Sequence, residues 1–303
     1  EIDKIQKDNI QKIDKDCFIL QVLKRLFKNK LALAGGIVVL LFLIVGCLAP
    51  VIAPHDPLEV NVSIRLQGPS QEYWLGTDHL GRCILSRLLY GAQTTLLNSL
   101  VVLAGILLIG IPLGLISGFC GGWIDNLIMR FADIVSTFPS SLLALAVVSV
   151  FGAGLQNVMI VLVALWWAPF ARILRSQVLK IKEKDFVMAA KASGTSKFKI
   201  VINHVLLNSI SPIIVYSTLR VAAVIMHIAS FSFIGLGTQP PAADWGVMLS
   251  DSKQFISTAP LMMIWPGLSI MLVVFSLNMF GEGLNEALMP GGNKKAKQLG
   301  DGE

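Results

Sequence analysis

Arg220 and His227 interrupt one of the most apolar stretches of the chain, residues 213–236. Their separation of seven residues is about 20° short of two helical turns, so both project from one helix face. A guanidinium at mid-bilayer costs about 2.5–3.5 kcal/mol even on the mildest scale, so this face turns toward protein or water, not lipid. Imidazole suits Ni²⁺, and the thioether of neighbouring Met226 suits softer ions. Arg220, Met226 and His227 are therefore candidates for lining a path through the bilayer, with His227 as a candidate metal ligand. A histidine satisfied by an interhelical hydrogen bond is the simpler alternative.

Two further pairs lie outside the apolar runs. Asp78 and His79, and Asp244 and Trp245, could receive a cargo at an outer surface. Gly76 and Gly81 flank the first pair, where an ordinary turn explains the polar residues equally well. Arg130 and Asp133, three residues apart, can pair along one helix. No GxxxxGK[ST] phosphate loop, HExxH pair or Ser-His-Asp order occurs. The chain is thus expected to be no enzyme and to bind no cofactor itself. Cys17, Cys47, Cys83 and Cys120 form no CxxC pair and no metal-like spacing, and disulfides between them are not expected.

The elements that position these residues belong to a membrane. The chain of 303 residues is 54% hydrophobic and only 15% charged, with a mean hydropathy of +0.70. A soluble domain is nearer about a quarter charged. Spanning helices need about 20 apolar residues. Residues 31–53, 96–118, 213–236 and 261–281 each supply one such run. The run 134–170 is too long for one helix, and Gly152, Gly154, Gln156 and Asn157 divide it into two. The expected fold is therefore all-α, with six transmembrane helices. Its parts are a tail (1–30), a first span (31–53), an outer loop (54–95), a five-helix core (96–283) and a second tail (284–303). No cleavable signal peptide is expected, because the first apolar run follows a long charged segment.

Charge sets the orientation. Of 25 Lys and Arg, 19 fall in the two tails and the segment 171–212, and four fall in the opposite loops. The positive-inside rule then places both termini in the cytoplasm. The net charge of +6 needs no nucleic-acid partner, since basic cytoplasmic loops account for it. Residues 84–97 read as an interfacial amphipathic helix on membrane lipid. The six tryptophans are expected mostly near span ends, as an aromatic belt.

The segment 180–212 is too long and too charged for a turn. Phe186, Ala189 and Ala190 recur at helical spacing among lysines, and Gly194 is placed to cap the helix. Small residues allow close seating in a partner's groove, and Phe186 offers an anchor. A helix lying on lipid head groups has the same composition.

Three long segments carry a resemblance: WLGTDHLGRCILSRLLYGAQTTL (74–96), FSFIGLGTQPPAADWGVMLSD (231–251) and WPGL (265–268). They are similar to the inner-membrane permeases of dipeptide, oligopeptide and nickel importers, a branch of the ABC transporters. The inner loop resembles the coupling motif of that branch, Glu-Ala-Ala, three residues, then Gly, with a later Leu-Pro. Ala189, Ala190 and Gly194 match it. Met188 stands in place of the usual Glu, and Leu207 in place of the usual Pro. The stretch IMHIASFSFIGLG (225–237), with His227, resembles the nickel-type second permease subunit.

The resemblance implies a type I ABC importer permease fold with a cytoplasmic coupling helix. It also implies a multi-pass subunit of a bacterial plasma membrane, a second permease subunit, two ATPase subunits holding ATP and Mg, and an extracytoplasmic substrate-binding protein. Nickel or a related transition metal, carried free or as a chelate, is the cargo it suggests, with dipeptides or oligopeptides as the alternative. An ion-coupled secondary transporter is the rival from another class. It calls for buried carboxylates in broken spans, and none stands out.

Overall fold

The computed structural model describes residues 20–288, and regular structure among them is helical, with one isolated bridge between Thr77 and Cys83. The main helices are α1 (Lys30–Ile52), α2 (Ile84–Cys120), α3 (Gly122–Thr137), α4 (Ser140–Phe151), α5 (Leu155–Ile181), α6 (Asp185–Ala192), α7 (Ser211–Phe233), α8 (Trp245–Ser252) and α9 (Leu261–Leu288). Helices α1, α2, α5, α7 and α9 are long and apolar enough to cross a bilayer. Helices α3 and α4, with a bend of 79° between them, are together long and apolar enough to count as a sixth, broken crossing.

The break departs from the straight third span expected from residue 134 onward, and Pro139 explains it. Proline lacks the donor a continuing helix needs and pushes the preceding residue out of the helical region. Phe138 accordingly sits at φ −82°, ψ 123°. The 12 residues of α4 cover only about 18 Å of a hydrocarbon core roughly 30 Å thick. Gly152, at φ 90°, then turns the chain into α5, where the sequence suggested a turn.

Three other expectations change. Residues 84–97 do not form a separate interfacial helix but continue into the second span as one helix of 37 residues. Asp133 pairs with Arg172 at 3.0 Å rather than with Arg130. Trp166 and Trp167 lie midway along α5 rather than in an end belt, because that helix runs on to Ile181. Trp245 is fully buried, and Trp74 and Trp123 are the strongly exposed indoles. Cys47, Cys83 and Cys120 are free thiols, while Cys17 lies outside the described residues.

Glycine ridges set the packing. Gly110, Gly114 and Gly118 repeat at four-residue spacing on α2 and face α5. A Cβ at Gly114 would lie 2.7 Å from the Ala171 carbonyl oxygen, and one at Gly118 would lie 2.7 Å from the Val178 Cβ. Lipid tails are as apolar as leucine, so helices associate there through such close backbone packing. On the other side of the bundle, Gly35 and Gly283 bring α1 against α9. The main buried cluster joins α2, α5 and α7 through Val102, Ile106, Leu162, Phe170, Leu174 and Val224.

These contacts sort the chain into two ends. The start of α1, the end of α9 and the basic segment 180–209 share one end: Asn29 bonds Glu286 at 2.9 Å, and Lys182 bonds the Gly118 carbonyl at 2.9 Å. The loops 53–83 and 234–260 share the other.

Gly114→Val should destabilise the subunit by about 1–3 kcal/mol through overpacking. Gly68→Ala, where nothing lies within 4 Å of the added carbon, serves as the control. The thermal midpoint of the purified protein should fall for the first and stay at the wild-type value for the second.

Candidate translocation and coupling sites

At the loop end, Asp78 organises a tight turn between Gly76 and Gly81, both at positive φ. Its Oδ1 accepts from the backbone N–H groups of Leu80 and Arg82, each at 2.9 Å. Its Oδ2 meets Arg82 at 2.6 Å and Arg87 at 3.6 Å. Asp251, from α8, approaches the same two guanidiniums at 3.0 and 3.8 Å. Arg87 also donates to the carbonyls of Pro57 and Pro241, both at 3.3 Å. Both arginines are almost wholly buried. Two arginines and two aspartates thus fasten the loops 53–83 and 234–260 to the start of α2. The polar face read as amphipathic is turned into protein, which is why residues 84–97 are not interfacial.

Asp244 and Trp245 belong to the same fastening. The Asp244 carboxylate caps α8, accepting from Gly246 at 2.9 Å and Val247 at 3.2 Å. The Trp245 indole donates to the Leu88 carbonyl at 3.0 Å and lies over Gly91, where a Cβ would come within 2.5 Å of the ring. Asp78, Asp244 and Trp245 are therefore turned inward, not presented to an arriving cargo. The sequence reading placed them at a surface because a loop position does not disclose burial. His79 stacks on Phe255 at 5.5 Å.

Within the membrane, Tyr216, Arg220 and His227 form one face of α7, from which Arg220 and His227 meet Trp166 of α5. The Arg220 guanidinium lies 5.3 Å from the Trp166 ring and 4.8 Å from the Tyr216 ring, and it donates to the Tyr216 hydroxyl. The His227 ring stands edge-on to Trp166 at 4.6 Å, with Nδ1 2.9 Å from the Ala223 carbonyl. Met226 points elsewhere, into a cavity of about 400 Å³ that also involves Phe233, Leu249 and Met263. The path residues are thus divided: Arg220 and His227 share a face, and Met226 does not join it. No three His, Cys, Asp or Glu side chains gather into a metal-binding group among the described residues.

At the opposite end, Phe186, Met188 and Ala189 of α6 are exposed, Ala190 is half-buried and Val187 is fully buried. Gly194 ends the helix at φ 74°, where the Thr195 N–H bonds the Ala190 carbonyl at 3.1 Å. Lys191 lies 5.9 Å from the Phe119 ring at the end of α2. A one-turn piece (Lys197–Lys199) and a π-helical turn (Ile200–Leu206) then lead toward α7. With Leu207 in place of proline, the backbone N–H is retained and the chain stays helical.

Sequence reasoning missed Arg82, Arg87 and Asp251 as a unit, and Trp166 and Tyr216 as partners of Arg220. Tyr216, four residues before Arg220, was a readable signal. Trp166 could be found only in three dimensions.

A model of the binding-protein-dependent transport system inner membrane component matches residues 110–291, more than half of the chain. The chain belongs to that family. A second model, the N-terminal TM domain of oligopeptide transport permease C, matches residues 18–69. The chain is therefore a multi-pass permease subunit of an ABC importer. It is 46% identical to the dipeptide transport system permease protein DppC of Alkalihalophilus pseudofirmus, over 89% of both chains. It is 39% identical to the nickel transport system permease protein NikC of Escherichia coli K12, over 78% of this chain and 86% of that one. It is also 39% identical to the glutathione transport system permease protein GsiD of Pectobacterium atrosepticum, over 88% and 89%. A permease of this family need not share a solved relative's sequence to share its fold. The methionine ABC transporter MetNI, solved in inward-facing conformations, is similar at a TM-score of 0.55 and 18% identity, covering 68% of this chain and 98% of that one.

Asp78→Asn should leave two buried guanidiniums facing one carboxylate. Breaking such a pair costs about 3–5 kcal/mol, read as lost yield and an earlier melting transition. Burial pushes the Asp244 carboxyl above its usual range, against the pull of its N–H partners. The folded state therefore holds this proton where the unfolded chain has released it. The associated stability is present below the ordinary aspartate value and is lost as pH rises through the raised one. Asp244→Asn removes that proton, so its melting temperature relative to wild type should climb as pH rises from acid toward neutral.

Proposed function

We propose that this subunit imports short peptides. The observation that carries this reading is the 46% identity, over 89% of both chains, to a dipeptide permease, against 39% to the nickel and glutathione permeases. The donor set agrees: His227 has no second and third ligand gathered around it among the described residues. Its Nδ1 contact with Ala223 and its packing on Trp166 fit a histidine that fastens one span to another. The peptide reading thus replaces nickel, which the short likeness around His227 had suggested.

In this reading the basic segment 180–209 and both chain ends face the cytoplasm. A second permease subunit completes the path, two ATPase subunits dock below, and a substrate-binding protein delivers cargo to the loop end. The exposed Phe186, Met188 and Ala189 seat in an ATPase groove. The closeness of α6 to the rest of the bundle supports this role. Val187 is buried, Lys182 bonds Gly118, and Lys191 packs on Phe119, so a push on α6 reaches the end of α2. Through the helical stretch 197–209 the same push reaches α7 and tilts the Arg220 face as a rigid body.

Uptake of a radiolabelled dipeptide and of radiolabelled nickel should be compared in vesicles holding the complete complex. ATP-dependent dipeptide entry, competed by unlabelled dipeptide and not by nickel, is the expected result; nickel entry without peptide entry would refute the reading. Phe186→Asp should reduce ATP-coupled uptake to background while the subunit still inserts and the ATPase still binds nucleotide. Wild-type uptake by that variant would remove the docking role.

A further inference from the structure

We propose that Arg220 recognises the carboxylate of the peptide as it crosses the bilayer. The inference rests on the peptide reading above and deepens it. Three observations carry it.

The first is an unbalanced charge. Arg220 lies close to the middle of α7, and no ion pair joins it to a carboxylate among the described residues. Four other arginines beside the crossing region have one, Arg82 and Arg87 with Asp78 and Asp251, Arg172 with Asp133, and Arg175 with Asp125, while Arg130 of α3 is in no ion pair among the described residues. Four arginines at the two ends of the bundle are thus matched by carboxylates of the chain, and Arg220, in the middle of a span, is not.

The second is the surroundings of the guanidinium. It is held between the rings of Trp166 and Tyr216, and one donor is spent on the Tyr216 hydroxyl. Aromatic faces stabilise a cation through their quadrupoles without neutralising it. Phe170, fully buried, fixes Tyr216 edge-on at 4.8 Å. The fork is thus oriented before any anion arrives, and its nitrogens are not among the buried groups lacking a partner. The donors left over match the two oxygens of a carboxylate.

The third observation is that this box suits a temporary partner. Between cargoes the charge must stand without its anion, and the two rings lower the cost of doing so. A permanent carboxylate from the second permease would make them redundant. It would also resemble the tight, buried pairs at the loop end, where Arg82 meets Asp78 at 2.6 Å with no aromatic ring between them. A half-buried guanidinium cradled by rings binds weakly enough to release, as a carrier requires.

The test uses the complete complex in vesicles, with the binding protein saturated beforehand by alanyl-alanine or by its C-terminal amide, saturation being checked on the binding protein alone. The maximal uptake rate is measured for both peptides with wild type, Arg220→Gln and Arg220→Lys. Loss of a charge-assisted pair should lower uptake of the free acid by on the order of tenfold in Arg220→Gln, while the amide changes little, so the two rates converge. Arg220→Lys, which keeps charge but not the fork, should fall between. Equal losses for acid and amide would overturn the assignment in favour of packing. Loss of the second permease from purified Arg220→Gln complex, restored in Arg220→Lys, would overturn it in favour of a fixed ion pair between subunits. If the wild type carried neither peptide, the peptide reading itself would fall; an unchanged acid-to-amide ratio in a transporting Arg220→Gln complex would sink only the role of Arg220.

Discussion

A charge inside a low-dielectric layer must be matched, and this constraint shapes the molecule from end to end. Water is absent from the hydrocarbon core, so each guanidinium needs a carboxylate, a carbonyl or an aromatic face. At the loop end Arg82 and Arg87 find Asp78 and Asp251, and two segments distant in sequence are drawn together. At the other end Arg175 grips Asp125 through two hydrogen bonds of 2.5 and 2.6 Å, fixing α3 beneath α5. In the middle of α7, Arg220 meets the rings of Trp166 and Tyr216 instead of a carboxylate. Rigid ends and an uncommitted centre are what a subunit needs if it must hold its shape and let a solute pass.

Packing supplies the second half of that rigidity. The glycines of α2 bring its backbone directly onto α5. The basic segment is tied to the same pair through Lys182 and Lys191. The bend at Pro139 separates α3 from α4 by 79°. A displacement of α6 therefore has two routes upward, one through the end of α2 and one through the helical stretch into α7. Neither needs a flexible relay, because each step is a direct side-chain or backbone contact.

Much of this was legible in the sequence where the signal was local. The apolar runs located α1 and α7 to within three residues and the start of α9, which continues seven residues past its expected end, and the glycines at 152 and 154 marked the turn before α5. Gly194 announced the end of α6. The failures share one cause. Residues 84–97 looked interfacial because leucines there stand beside Arg87 and Gln93, whereas the partners of Arg87 come from residues 78 and 251. Asp78, Asp244 and Trp245 looked available to a cargo for the same reason. The pairing of Arg130 with Asp133 was the nearest in sequence, but Arg172 was nearer in space.

By itself the sequence determined that the chain enters a bilayer, where its main crossings lie, that Arg220 and His227 share a face, and which segment between the spans is strongly basic. These follow from hydrophobic length, helical periodicity and charge bias, all carried by neighbouring residues. The tertiary structure alone decided which arginines are matched, which loop residues are buried, and that Trp166 meets Arg220. Those outcomes depend on contacts between helices far apart in the chain, and no local period encodes which partner a buried charge will find.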